Sequence, residues 1–389
     1  DAVYANKVWE PAFLARDAKA VAALRANGLE ARLFDDGVLF PPDAMKTAAG
    51  GPFRVFTPFW RRCLSSPGPE APRPAPARIL SPGRLPPSWP LPELRLLPSV
   101  PWDAGILAAW SAGEQSGGDR LSGFLDNAMA AYPHDRDRPD RDGTSRLSPY
   151  LHFGCVSPRQ VWHAVQSRAG VDSAPGAARG AETFLRQLVW REFAHHLLFH
   201  FPATVHAPMR EEFTSFPWRN DPAALVAWQK GRTGYPLVDA GMRQLWKTGW
   251  MHNRVRMVVA SFLVKDLLLP WRQGASWFFD TLVDADLANN TFGWQWVTGC
   301  GADAAPYFRV FNPALQRGKF DPGGDYVRTW VPELARLPDR WIHRPWEAPP
   351  SVLSEAGVTP GKTYPRPIVD HAAARIRALA AFSAVRTHS

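Results

Sequence analysis

Residues 271–296 read WRQGASWFFDTLVDADLANNTFGWQW. Asp284 and Asp286 lead into Asn289 and Asn290, and these into Trp294 and Trp296. On a helix, residues two apart point about 200° away from each other. Trp294 and Trp296 therefore face different neighbours, one on each side of whatever this segment holds. Indole is easily oxidised by one electron and offers a large flat stacking surface. One indole per side points to electron delivery on one side and base stacking on the other; the plainer alternative is that both are core residues. Outward from this segment the apolar spacing stays helical, at Trp277–Asp284, Trp250–Leu268, Asp239–Lys247, Pro222–Gln229 and Thr183–His200, so the chain from about Asp103 onward reads as all-helical.

The front of the chain reads differently. Val3–Ala5 is the end of a strand, Glu10–Asn27 a helix with Phe13, Leu14, Val21 and Leu24 on its apolar side and Gly28 as its stop, and Leu29–Phe34 a second strand. This β-α-β unit implies a parallel sheet. Two strands do not make a stable open sheet, so the α/β part is incomplete or is completed by something absent from the front. The first residue is Asp1 rather than Met, which fits a processed or incomplete form. Between Pro67 and Pro101 lie twelve of the 39 prolines, the composition of an extended, semi-rigid linker. Residues 117–143 form a polar, basic connection.

The 389 residues suffice for two domains. A net charge of +9 fits a polyanionic partner, and 18 tryptophans in a basic chain suit binding to unstacked bases. Cys63, Cys155 and Cys300 have no paired spacing, which argues against a disulfide framework or zinc ribbon and fits a reducing cytosol. No apolar run reaches membrane-span length and no signal peptide is visible, so a cytoplasmic protein is expected. His196 and His200 have a metal-ligand spacing but no third ligand or helix Glu, so no metal is expected. Dinucleotide, P-loop and nucleophile-elbow motifs are absent.

Several segments concentrate chemistry. In Thr183–His200, the core stripe is Leu185, Leu188, Val189 and Phe193, while Gln187, Trp190, Arg191 and Ala194 form a second face. An amide, an indole and a guanidinium on one face can read a base edge, stack on it and hold a phosphate; alternatively Trp190 is core and Arg191 pairs with Glu192 or another acid. In Trp250–Leu268, Asn253, Arg256 and Met257 share a side. Arg256 should meet an acid, with Asp284 the natural candidate, whereas Arg254 has no acid at helical spacing before it and suits a phosphate. Residues 143–148, GTSRLS, combine a turn, three hydroxyls and an Arg, as a phosphate nest or as a capping sequence.

Together, the segments DGTSRLSPYLHFGCVSPRQ, LVWREF, TGYPLVDAGMRQLWKTGWMHNRVRM, ASFLVKDLLLPWRQG and DADLANNTFGWQWVTGCGADAAPYFRVFNP resemble the photolyase/cryptochrome family, nearly end to end. The resemblance implies a Rossmann-like α/β domain, N-terminally incomplete over 1–62, a linker over 63–102, and an all-helical domain over 103–389 that holds FAD. By position, FAD would be held by Tyr132, Thr144, Ser145, Arg146, Leu147, Ser148, Phe184, Arg191, Asn253, Arg256, Asp284, Ala285 and Asp286, with Asn290 near flavin N5. The lesion and DNA would meet Arg136, Gln187, Trp190, Arg191, Asn253, Arg254, Met257, Trp296 and Gln316. Trp294, Trp271 and Trp218 match the chain of indoles that photoreduces the flavin. The implied activity is splitting of a flipped-out cyclobutane pyrimidine dimer in UV-damaged DNA by an electron from excited, reduced, anionic FAD, which then returns.

The branch that repairs (6-4) photoproducts carries a His pair in its Trp-x-His-x-x segment; here Trp250-Met251-His252-Asn253-Arg254, followed by Met257, matches the cyclobutane-dimer pattern of bacterial class I enzymes. Asn290 fits repair, where plant-type sensors have an acid. No long tail follows Ser389, which also speaks against a cryptochrome-like photoreceptor, the alternative reading. Two departures stand out. Gln187 occupies a position where many dimer-repair enzymes have Glu, though a neutral amide still donates and accepts. Roughly 90 front residues, by family length, are missing where much of the antenna site lies, so the second chromophore could be a folate, a deazaflavin, a flavin or none. The family habit is a monomer, cytoplasmic and nucleoid-associated when bound to DNA.

Overall fold

In the computed structural model, residues 2–81, 83, 87–171, 175–307 and 309–386 are described. Strands β1 (Ala2–Asn6) and β2 (Glu30–Phe34) pair in parallel, Ala2 opposite Glu30 and Asn6 opposite Phe34. Helix α1 (Pro11–Ala26) crosses between them, as its Pro start and the Gly28 stop require. Leu14, Val21 and Leu24 are half-buried, but Phe13 stays 39% exposed with the Arg16 guanidinium over its ring, and no residue of α1 is fully buried.

Helix α2 (Phe56–Ser65) is one the sequence reading missed. It buries Phe56, Phe59, Trp60 and Cys63, spaced i, i+3, i+4, i+7. That stripe was legible, and Pro58 does not contradict it, because Pro within a first turn removes no intrahelical hydrogen bond. The helix starts ahead of Asp103 and ends inside the stretch read as linker. Beyond it, the described part of 67–101 holds a single 3₁₀ turn, Leu91–Leu94, and exposes Ile79, Leu80, Trp89 and Leu97.

The helical body follows as α3 (Ala104–Ala109), α4 (Glu114–Asn127), α5 (Tyr132–Asp135), α6 (Ser148–His152), α7 (Pro158–Val171), α8 (Ala177–His200), α9 (Pro222–Gln229), α10 (Pro236–Thr248), α11 (Asn253–Ser261), α12 (Trp271–Thr281), α13 (Leu287–Thr298), α14 (Arg317–Phe320), α15 (Asp325–Trp330), α16 (Asp339–Ile342), α17 (Pro350–Ala356) and α18 (His371–Arg386). The expected helix Trp250–Leu268 is shorter and interrupted. His252 caps α11, its Nδ1 accepting from the Arg254 N–H at 3.2 Å. After Ser261 a π-helical turn, Phe262–Asp266, carries the chain on, with the Leu267 N–H donating to the Phe262 carbonyl at 3.0 Å. This wider turn buries Lys265 and Asp266 along with their apolar neighbours.

Two apolar clusters make the interior. The first gathers α2, α4, α7 and α8 with the residues between α4 and α7, including Tyr132, Leu147 and Phe184. The second gathers α10 to α13 and the C-terminal helices, including Trp271, Trp294 and Val255. Helices α8 and α13 pack on each other along the border, where Phe292 of α13 leans on the first cluster while Trp294 lies in the second. The expected site residues line both sides of this border.

Candidate flavin and DNA site

The site begins with ion pairs the helices bring together. Arg256 donates from Nη2 to both oxygens of Asp284, at 2.8 and 3.1 Å, and from Nε to the Met251 carbonyl at 2.7 Å. The Asp284 side chain is buried, so this is the acid that Arg256 needed. Asp286 caps α13, accepting from the Asn289 N–H and side-chain amide at 2.7 and 2.6 Å. His195, from α8, approaches Asp286 at 3.5 Å. Burial, partly offset by Asp286, pushes the His195 imidazole down, so it is neutral at pH 7.

Trp294 and Trp296 both lie in α13, at different depths. Trp294 is buried, with ring centroids 5.0 Å from Phe278 and 6.2 Å from Trp228. It lies against α12 at Gly274, where a Cβ would come within 2.1 Å of the Trp294 ring. Asn290, one turn earlier on α13, donates to the Ala275 carbonyl at 2.9 Å. Trp271 is buried in the same cluster, and Trp218 is half-buried against it, its ring 4.4 Å from Phe216. The Arg219 N–H donates to the Leu268 carbonyl, fastening the Trp218 segment just ahead of α12. From Trp294 to Trp271 to Trp218 burial decreases toward the surface. Trp296 is half-buried and packs against the second cluster.

On α8, Trp190 is held between two rings: Phe56 stacks on it at 3.5 Å with the planes 7° apart, and Phe292 lies 5.6 Å away. Phe56 therefore covers one face of the indole, while Trp190 as a whole stays half-buried. Arg191 likewise pairs with Glu192 at 2.9 Å and with the Gly37 carbonyl at 2.9 Å. Glu192 is buried and accepts the Leu39 and Phe40 N–H groups, tying the segment after β2 to α8. No sequence signal marked that long-range role.

Gln187, on the same helix, accepts from Arg136 Nη2 at 3.0 Å, and the Arg136 guanidinium lies 5.4 Å over the Tyr132 ring. Tyr132 and Phe184 are buried with centroids 5.4 Å apart. Arg254, without an acid on its own helix, has one from the loop after α5: its Nε reaches Asp137 at 2.5 Å, and its Nη1 lies 3.5 Å from Met257 Sδ. Asp137 was missed because its partners are distant in sequence. In the GTSRLS turn, Arg120 takes the Thr144 and Ser145 carbonyls, Leu147 is buried, and Ser148 is exposed at the start of α6. Arg146 adopts φ 48°, packs 5.1 Å over the Trp250 ring and ion-pairs with Asp142 at 3.3 Å. Gln316 is half-buried ahead of α14, whose Phe320 N–H it receives on its carbonyl. His196 accepts the Phe53 N–H, and His200 meets the Pro42 carbonyl.

FAD fits this arrangement. Two buried ring nitrogens have no hydrogen-bond partner, Nε2 of His252, next to Asn253, and Nδ1 of His195, whose other nitrogen approaches Asp286. Asn253 is exposed at the head of α11 and Ala285 is half-buried beside Asp284.

The model of the FAD binding domain of DNA photolyase matches residues 184–384, and that of the DNA photolyase family matches residues 1–77. A deoxyribodipyrimidine photo-lyase of Agrobacterium fabrum is 49% identical over 99% of this chain and 80% of its own length. Cryptochrome-1 of Arabidopsis thaliana is 43% identical over 96% of this chain and 56% of its own. The crystal structure of a bacterial class III photolyase from Agrobacterium tumefaciens superposes with a TM-score of 0.95 at 48% identity, covering 100% of this chain and 80% of that one. Among the described residues no helix is long and apolar enough to cross a membrane. With the motifs, the helical fold and the match over the site all in agreement, the chain belongs to the photolyase/cryptochrome family, as a flavoprotein lyase built on the FAD-binding domain of DNA photolyase.

Proposed function

We propose that this protein repairs UV-damaged DNA in light, and that its lesion is the cyclobutane pyrimidine dimer. The observation that carries the lesion class is the state of His252. It is 2% exposed, it caps α11 through Nδ1, and burial together with the Arg254 charge pushes its pKa down to about 3. A neutral, buried capping imidazole does not serve proton transfer to a lesion, which is what the (6-4) chemistry needs from its His pair. Next to it, Arg254 and Met257 stand side by side, as the dimer pattern has them.

The division of labour follows. FAD, when bound, supplies the light-driven electron. Arg256, Asp284, Asp286 and Asn290 form its rigid seat, their hydrogen bonds already made within the protein. Arg136 orients Gln187, whose amide can donate to a pyrimidine carbonyl while its Oε1 stays on the guanidinium. Arg254 and Arg136 offer positive charge to the phosphates flanking a flipped lesion. Trp294 and Trp271, buried from water, and the more accessible Trp218 serve the path from the surface. The domains divide as 1–62, 63–102 and 103–389, with α2 extending from the first into the second. The motifs resemble those of class I enzymes, while the solved relative is named a class III photolyase.

The 43% identity to a cryptochrome keeps one second reading, a flavin photoreceptor without repair. The deciding experiment uses anaerobically reduced protein and an oligonucleotide with one thymine dimer under near-UV to blue light, with dark and (6-4) controls. Light-dependent loss of the dimer alone supports the proposal. Bound, photoreducible FAD with neither lesion repaired supports the photoreceptor.

A further inference from the structure

Asp137 belongs to none of the motifs that mark the site, yet three cations from three separate segments converge on it. Arg254, in the first turn of α11, places Nε 2.5 Å from Oδ1. Lys319, in α14, places Nζ 3.3 Å from Oδ2. Arg136, its own neighbour in sequence, has Nε 3.8 Å from Oδ1 and reaches Gln187 with Nη2. The carboxylate is 18% exposed while the Lys319 side chain is 67% exposed, so the group sits at the mouth of the site, not in the core. Each carboxylate oxygen thus meets a different long-range cation, the arrangement a backbone phosphate would have there.

We propose that Asp137 is a positioning residue that fills the anion seat of the DNA-binding face in the DNA-free protein and thereby sets how well that face discriminates damaged from undamaged DNA. The inference rests on the DNA-repair reading above. A passing phosphate must displace the carboxylate from Arg254 and Lys319 and gains little for it. A flipped lesion gains in addition the contacts around Gln187 and Met257, so it alone completes the exchange. Asp137 also keeps Arg136 aimed at Gln187. Burial would raise the Asp137 pKa, but the charge and hydrogen bond of Arg254, with those of Lys319, outweigh it and hold the carboxyl below its usual range, so the seat is filled throughout neutral pH.

The test measures binding in the dark, by fluorescence anisotropy across a salt series, of a duplex with and without one thymine dimer. Wild type, Asp137→Asn and Asp137→Glu are compared at equal flavin content. Asp137→Asn should bind undamaged duplex about tenfold more tightly, with a salt slope steeper by about one. Its preference for the damaged duplex should fall by about tenfold, because specific and non-specific affinities converge. Asp137→Glu should restore slope and preference. If Asp137→Asn does not fold, Lys319→Gln serves instead and should flatten the slope by about one. A wild-type slope and preference in Asp137→Asn, or a wild-type slope in Lys319→Gln where that variant stands in, overturns the inference while leaving repair intact. A wild type with no preference for damaged DNA overturns the repair reading and this inference with it.

Discussion

At the scale of single residues, charge pairing decides what each arginine can do. Arg256 is committed to Asp284 and the Met251 carbonyl, and under the proposed function it supports the flavin seat. Arg254 is half-buried and shares Asp137 with Arg136 and the exposed Lys319, so it is the one whose loss should be read in DNA binding. Arg254→Ala should weaken binding of dimer-containing DNA by about 1–3 kcal/mol with flavin content unchanged, measured by titration in the dark. An unchanged affinity would return Arg254 to a purely structural pair with Asp137. Trp294→Phe should stop photoreduction of oxidised FAD while protein reduced beforehand still repairs; loss of both would place Trp294 on the wrong side of the site. Phe keeps the packing against Phe278 but is far harder to oxidise than indole.

At the scale of elements, the α12–α13 contact sets the position of the innermost indole. Gly274 lets the Trp294 ring lie directly on α12, and the Leu263 side chain closes the same spot at 2.6 Å from a hypothetical Cβ. A methyl there must push a rigid ring, since both obstacles belong to packed side chains. Gly274→Ala should therefore destabilise the protein by about 1–3 kcal/mol in denaturant unfolding and slow flavin photoreduction. Full stability and wild-type photoreduction would show that the helices separate freely. The capping of α11 by His252 and of α13 by Asp286 fixes the start of each helix, and so the direction in which Arg254 and Asn290 leave the backbone.

At the scale of the molecule, buried neutral histidines govern acid stability. Burial pushes His196 down to about 4 and His252 to about 3. The unfolded chain protonates both near pH 6.5, while the folded one does not until the pH reaches those lower values. Between these limits the unfolded state binds more protons, so stability falls as pH falls. Each histidine should contribute a loss of roughly 2 kcal/mol between about pH 6.5 and pH 5. Urea midpoints across that range check this, and His252→Gln should flatten the dependence. A midpoint constant over the range would mean that the two rings meet water.

The sequence by itself determined the class of fold, the family and most of the chemistry. Helical periodicity, the β-α-β front and the Asp-x-Asp to Trp-x-Trp run are local patterns, and the Arg256–Asp284 pair follows from the cost of burying a lone charge. Even α2 was written in its i, i+3, i+4, i+7 stripe. What only the tertiary structure decided are the relations between distant segments: Phe56 on Trp190, Glu192 beneath Leu39 and Phe40, Gly274 under Trp294, and Asp137 among Arg136, Arg254 and Lys319. The physical reason is that periodicity reports only which side of an element is apolar. Which ring or charge arrives on that side is fixed by packing and by the pairing of buried charge, and both join residues that no local pattern connects.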